Sequence, residues 1–137
     1  MNAIKAIPLF GIVLVLYMFF QVIFYYSNPG YDVLALKLIE VSLPSNAVWA
    51  LYMSDLIILF GLFILFFELV KSTGVGNTEI LEHVLSTFVA VSYLIVFLMA
   101  PMAANSTFFI LSTMSFIDVI AGITISITQA RRDFHVG

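Results

Sequence analysis

Cysteine is absent from this chain, which excludes disulfides, thiolate metal sites and iron–sulfur clusters. Charge is nearly as scarce. Charged residues make up 9% of the 137 positions, where an ordinary soluble domain carries about 25%. Such a chain cannot clothe a globular surface in water. Only five residues are Lys or Arg, and the formal charge is −3, so nucleic acid is excluded as a partner because phosphate binding needs clustered basic groups. The two histidines are equally uninformative. His83 alone lies in an apolar region, so a haem held by two axial ligands would need a second copy or another chain to supply the other. No spacing of His and acids suits zinc, and no Ser-His-Asp arrangement is credible. Gly74-Val75-Gly76 lacks the rest of a phosphate loop, and no span carries the arginine ladder of a voltage sensor. No cofactor, no metal and no catalysis are expected.

What is abundant is hydrocarbon. Hydrophobic residues make up 63% of the chain and the mean hydropathy is +1.16. Four apolar runs stand out, at about 7–26, 47–70, 80–101 and 106–129. Each is long enough, at about 1.5 Å per residue, to cross a hydrocarbon core of about 30 Å. None alternates with the period of two that a membrane β-barrel requires. The first run is too long for a secretory signal and is followed by Phe24, Tyr25 and Tyr26 in place of a small-residue cleavage site, so it reads as a retained helix. The expected fold is an all-α, four-helix membrane bundle in one domain, 1–137, with the lipid bilayer as its first partner.

The connections carry further expectations. Lys5, Lys71, Arg131 and Arg132 fall on one side of a four-span chain and only Lys37 on the other, which puts both termini in the cytoplasm. Five residues, 101–105, join the third and fourth runs and demand a tight antiparallel hairpin, with Ala90 and Gly122 as points of close approach. Between Asp32 and Val41, Lys37 and Glu40 stand three apart. That spacing predicts a short amphipathic helix on the outer membrane surface, beside an aromatic belt of Tyr25, Tyr26, Tyr31 and Trp49.

Inside a bilayer, small and polar residues mark the faces that helices turn toward one another. The fourth run shows Ser112, Ser115, Asp118, Gly122, Ser126 and Gln129 at spacings of three and four. The second shows Ser54, Ile58, Gly61, Leu65 and Glu68, with Asp55 at the edge. The third shows His83, Ser86, Ala90 and Tyr93. The first shows a weaker stripe: Pro8, Gly11, Val15, Met18 and Gln21 or Val22. Asp118 is the sharpest signal, because a carboxylate at the centre of an apolar span costs about 2.5–3.5 kcal/mol and its short side chain cannot reach the interface. Counting depth along the runs predicts three polar layers. The outer holds Gln21, Ser54 and Asp55; the middle Tyr17, Tyr93 and Asp118; the inner Glu68, His83 and Gln129. Asp118 is expected to hydrogen-bond Tyr93 first, then Tyr17 or Ser115. Glu68 is expected near Lys71 or Arg131.

Asp118-Val119-Ile120-Ala121-Gly122, followed by Ala130-Arg131-Arg132-Asp133-Phe134, resembles the ending of small four-span bacterial inner-membrane proteins. The resemblance covers about 30 residues and implies a bacterial inner membrane, with no catalytic motif. The expected role is an accessory or assembly subunit beside another membrane protein, or in self-association. The alternative is a small oligomeric channel or ion-coupled transporter using Asp118.

Overall fold

The computed structural model describes residues 3–74 and 79–136. Four helices make the body: α1 (Leu9–Ser27), α2 (Met53–Ser72), α3 (Glu79–Met99) and α4 (Ser106–Val136). Each is long and apolar enough to span a membrane, α4 over Ser106–Arg132. The turn read from Gly74-Val75-Gly76-Asn77 lies, from residue 75 on, outside the described residues. α4 runs down the middle and makes its most extensive contacts with α2 and α3, while α1 touches its neighbours more lightly.

Short-range chemistry sets the helix ends. Pro8, in an extended conformation (φ −70°, ψ 128°), stops the chain from being helical upstream of α1. Asp55 at the third position of α2 accepts from the Tyr52 amide at 3.0 Å, which ties the start of the helix to the residue before it. Asn105 Oδ1 accepts from the Phe108 amide at 2.8 Å and so caps α4. A single 3-10 turn, Pro101–Ala103, joins α3 to α4, so those helices do form the tight pair that the short link requires. α2 and α4 approach closely at Gly61. A Cβ there would stand 2.6 Å from Leu111 Cδ2 and 3.0 Å from Met114 Sδ, so a larger residue would push those two side chains aside.

The core is aromatic. Phe108 on α4 lies 5.2 Å from the Tyr17 ring and 5.3 Å from the Tyr93 ring, centroid to centroid. Phe97 stacks on Phe108 at 6.5 Å. The inward stripe of α4 is as expected: Ser112, Ser115, Asp118 and Gly122 are all buried. That of α1 is not. Its buried residues are Phe10, Val13, Tyr17 and Gln21, while Val15 is 67% exposed. Large rings that meet other rings, rather than small residues, define the α1 contact, because dispersion across a large area outweighs close backbone approach there.

The first loop overturns the expected surface helix. After a 3-10 turn at Val33–Ala35 the chain forms an antiparallel β-hairpin, β1 (Lys37–Ser42) with β2 (Val48–Tyr52). The reason is composition: Val, Ile, Leu, Trp and Tyr supply both strands, and such residues fit a pleated surface better than a single-turn helix. Leu43, Pro44, Ser45 and Asn46 turn the chain, with Asn46 in the left-handed region at φ 62° and its amide donating to Leu43 O at 2.9 Å. The Lys37–Glu40 pair that suggested a helix is real, but a β-bulge between Lys37 and Ile39 creates it. Three residues apart in a regular strand lie on opposite faces; one extra residue brings them to the same face.

Candidate functional site

Two polar clusters lie at opposite ends of the bundle. At the hairpin end, the α4 cap Asn105 also accepts from Tyr17 Oη at 3.1 Å, and Gln21 Nε2 donates to Tyr17 Oη at 3.0 Å. Asn105 Nδ2 donates to Met102 O at 3.1 Å. The cluster therefore ties α1 to the α3–α4 turn with neutral groups, each donor with an acceptor. Tyr17 was expected in a middle layer and belongs here. Asp55 was expected beside Gln21, but its carboxylate is engaged with the Tyr52 amide and Ser54 lies next to it, half-buried.

Deeper in, Tyr93 stands alone as a bridge. It is fully buried and donates to Phe10 O at 2.9 Å, which fixes α3 against the first turn of α1. It is thus not the partner expected for Asp118.

The charged cluster lies at the other end and draws on all four helices. Glu68, 4% exposed, accepts from the Leu9 amide at 2.5 Å and stands 3.6 Å from Lys71 Nζ. Lys71 Nζ also donates to Ile7 O at 3.2 Å. The start of α1 is therefore set into the bundle on an anion, where the positive end of its dipole favours negative charge. One step away, His83 Nε2 hydrogen-bonds Ser126 Oγ at 2.7 Å. The His83 ring and Ser72 Oγ close over Gly122, where a Cβ would meet them at 3.2 and 3.3 Å. Gln129 Nε2 donates to Thr73 O at 2.8 Å. Gly122 is thus a close-approach point, but toward α2 as well as α3.

Asp118, 4% exposed, sits one helical turn from Gly122 and within electrostatic range of Glu68 and Lys71. Its carboxylate makes no hydrogen bond among the described residues, so the expected bond to Tyr93, Tyr17 or Ser115 is replaced by a charge relation to α2. Ser115 is buried on the same face, 1% exposed. The depth count erred because the helices are staggered: α1 begins level with Glu68, and α4 continues 31 residues to Val136. Midway along a run is therefore not midway through the bundle.

The electrostatics can be counted. Two carboxylates, Glu68 and Asp118, face one ammonium, Lys71, and the positive end of α1. Lys71 and the Leu9 amide are both committed to Glu68. Asp118 is the group left without an ion pair of its own among the described residues, and a carboxylate so placed is costly to bury in low dielectric. Sequence reasoning assigned Glu68, His83 and Gln129 to one level; in the structure each bonds a partner of its own, the Leu9 amide, Ser126 Oγ and Thr73 O. It missed Asn105, although Asn before Ser-Thr at a helix start is a recognisable cap signal. It also missed the Leu9 amide, which no side-chain pattern could reveal.

Between α1 and α2, toward the hairpin, the helices splay and leave an apolar cleft of about 750 Å³ open to the side. Leu16 and Phe20 line one wall, Phe60 and Phe63 the other. No family model, curated protein or solved structure matches this chain. What the fold defines is the class: a bundle of four helices suited to a membrane.

Proposed function

We propose that this chain is a non-catalytic integral membrane protein acting as an accessory or assembly subunit of a larger membrane complex, with its α1–α2 side as the contact. The observation that carries this reading is the splayed cleft. In lipid, helices gain from one another mainly by close packing, and a fold made to stand alone would close two such walls on each other. A transmembrane helix of a partner, entering between Leu16 and Phe60, would recover the lost dispersion contacts. The excess of Lys and Arg at the α2–α3 and α4 ends supports cytoplasmic termini, and a bacterial inner membrane remains the proposed location. A C-terminal reporter active only outside would overturn the orientation.

Purification in mild detergent with mass spectrometry should recover one stoichiometric membrane protein. Leu16→Trp and Phe60→Trp, which fill the cleft, should lose it, while Phe88→Trp, on the exposed side of α3, should keep it. A defined homo-oligomer with nothing else bound would sink the reading.

A second reading, a small ion-coupled transporter or channel, is favoured by Asp118, buried beside Glu68 without a counter-charge of its own. Purified protein in vesicles should then carry protons or a monovalent cation down a gradient, and Asp118→Asn should abolish the flux while leaving the fold. Equal flux from both proteins would eliminate it.

A further inference from the structure

The bulge in β1 has sorted the hairpin into two unlike faces. Successive strand residues point to opposite sides and cross-strand partners share one. With Ile39 opposite Leu51 and Val41 opposite Trp49, these four side chains make one face. Lys37, Glu40 and Ser42 stand on the other, opposite Tyr52, Ala50 and Val48. Without the extra residue Lys37 would fall among the apolar four. Every residue of β1 is exposed, Ile39, Val41 and Trp49 at about half their area, and Leu51 is half-buried, so the bundle covers little of that face. The two charges meanwhile satisfy each other: Lys37 Nζ donates to Glu40 Oε2 at 2.5 Å.

We propose that the hairpin is a membrane-surface device, lying in the headgroup region with the Ile39, Val41, Trp49 and Leu51 face against the acyl chains. Three observations choose lipid over a protein as the occupant. β2 passes into α2 without an intervening residue, and Met53 N donates to Leu36 O at 2.9 Å. The root of the hairpin is therefore held at the level where an apolar span begins. Tyr25 and Tyr26 end α1 at the same end of the bundle and are exposed, and Tyr and Trp together are the side chains that settle at a headgroup boundary. The hairpin's charged pair, Lys37 and Glu40, stands on the opposite face with each side chain half exposed, as it would toward water. The strand edges, unpaired on both outer sides, find water in the headgroup layer, as they could not in the hydrocarbon core.

Trp49 is the sole tryptophan of the chain, so its emission reports this face alone. The full-length protein is reconstituted in phosphatidylcholine vesicles whose acyl chains are brominated either near the headgroup or near the tail end. The expected result is blue-shifted emission, strong quenching by the shallow bromines, weaker quenching by the deep ones, and little quenching by aqueous iodide. Replacing Ile39 and Val41 together by Ser, far from the helical core, should lower the shallow quenching by about twofold or more as the face lifts. Blue-shifted emission that neither bromine nor iodide quenches would mean a protein covers the face and would overturn the proposal. Red-shifted, iodide-quenched emission would mean that the hairpin stands in water, and would overturn it equally.

Discussion

The two ends of the bundle use polar side chains in opposite ways. At the hairpin end, Tyr17, Gln21 and Asn105 are neutral and close their hydrogen bonds among themselves and with the α4 backbone. At the other end, Glu68, Asp118, Lys71 and His83 are ionisable, and the charges do not balance. The first arrangement is a fastening: it locates the short α3–α4 turn against α1. The second holds the start of α1 in place by charge and leaves one buried carboxylate over. A polar network inside a membrane protein is therefore not one kind of object. Whether its members close their own bonds separates a fastening from a group available to a proton, an ion or a partner.

Removing the cation should produce the largest effect. Lys71→Met leaves two buried carboxylates facing each other, and stability should fall by about 2–3 kcal/mol, below the 3–5 of a fully buried pair because Lys71 is partly exposed. Reversible unfolding in mixed micelles measures it, and a loss no greater than for Asn105→Ala would break the comparison. Asn105→Ala should come next, at about 1–2 kcal/mol, since it removes a helix cap and the acceptor of Tyr17 together. Asn105→Asp, which keeps the acceptor, should restore most of that loss.

Asp118→Asn should be smaller and of the other sign. It removes a buried charge without a partner, so stability should hold or rise by up to about 1 kcal/mol. A loss comparable to that of Asn105→Ala would mean that Asp118 is fastened as firmly as the hairpin-end trio, and the distinction between the ends would fail. Smallest of all is the ion pair on the hairpin. The Glu40 carboxylate, by hydrogen bond first and by charge second, raises the Lys37 ammonium above its ordinary value. A raised lysine contributes its stabilisation below the ordinary lysine range and loses it as pH climbs through the raised value. Glu40→Gln should return Lys37 to that ordinary range, read by NMR of its side-chain amine, with global stability unchanged within error. A Lys37 titration indifferent to Glu40 would show the pair to be open in solution.

Much of the architecture was legible because a bilayer leaves little choice. Long apolar runs must become helices, since backbone groups in hydrocarbon can be satisfied only within the segment or in a closed barrel, and the four runs matched their elements to within a few residues except where α2 begins and α4 ends. The α4 stripe was legible for the same reason: Ser112, Ser115, Asp118 and Gly122 are costly or unhelpful against lipid, so they turn inward whatever they meet there. The hairpin was not legible. Lys37 and Glu40 have the same spacing in a helix as in a bulged strand, and only the partner strand ten residues away decides between them.

By itself, then, the sequence determined that this is a membrane-suited bundle of four helices, which faces of three of them turn inward, and that Asp118 is buried. Tertiary structure alone decided the partners. The axial stagger of α1 set its first amide on Glu68, drew Lys71 to the same carboxylate and left Asp118 without a counter-charge, while Tyr93 went to the Phe10 carbonyl. Periodicity encodes a direction around each helix axis, because side chains repeat every 3.6 residues. It encodes no offset along that axis, which follows from how Phe10, Tyr17, Tyr93 and Phe108 fit together as rings.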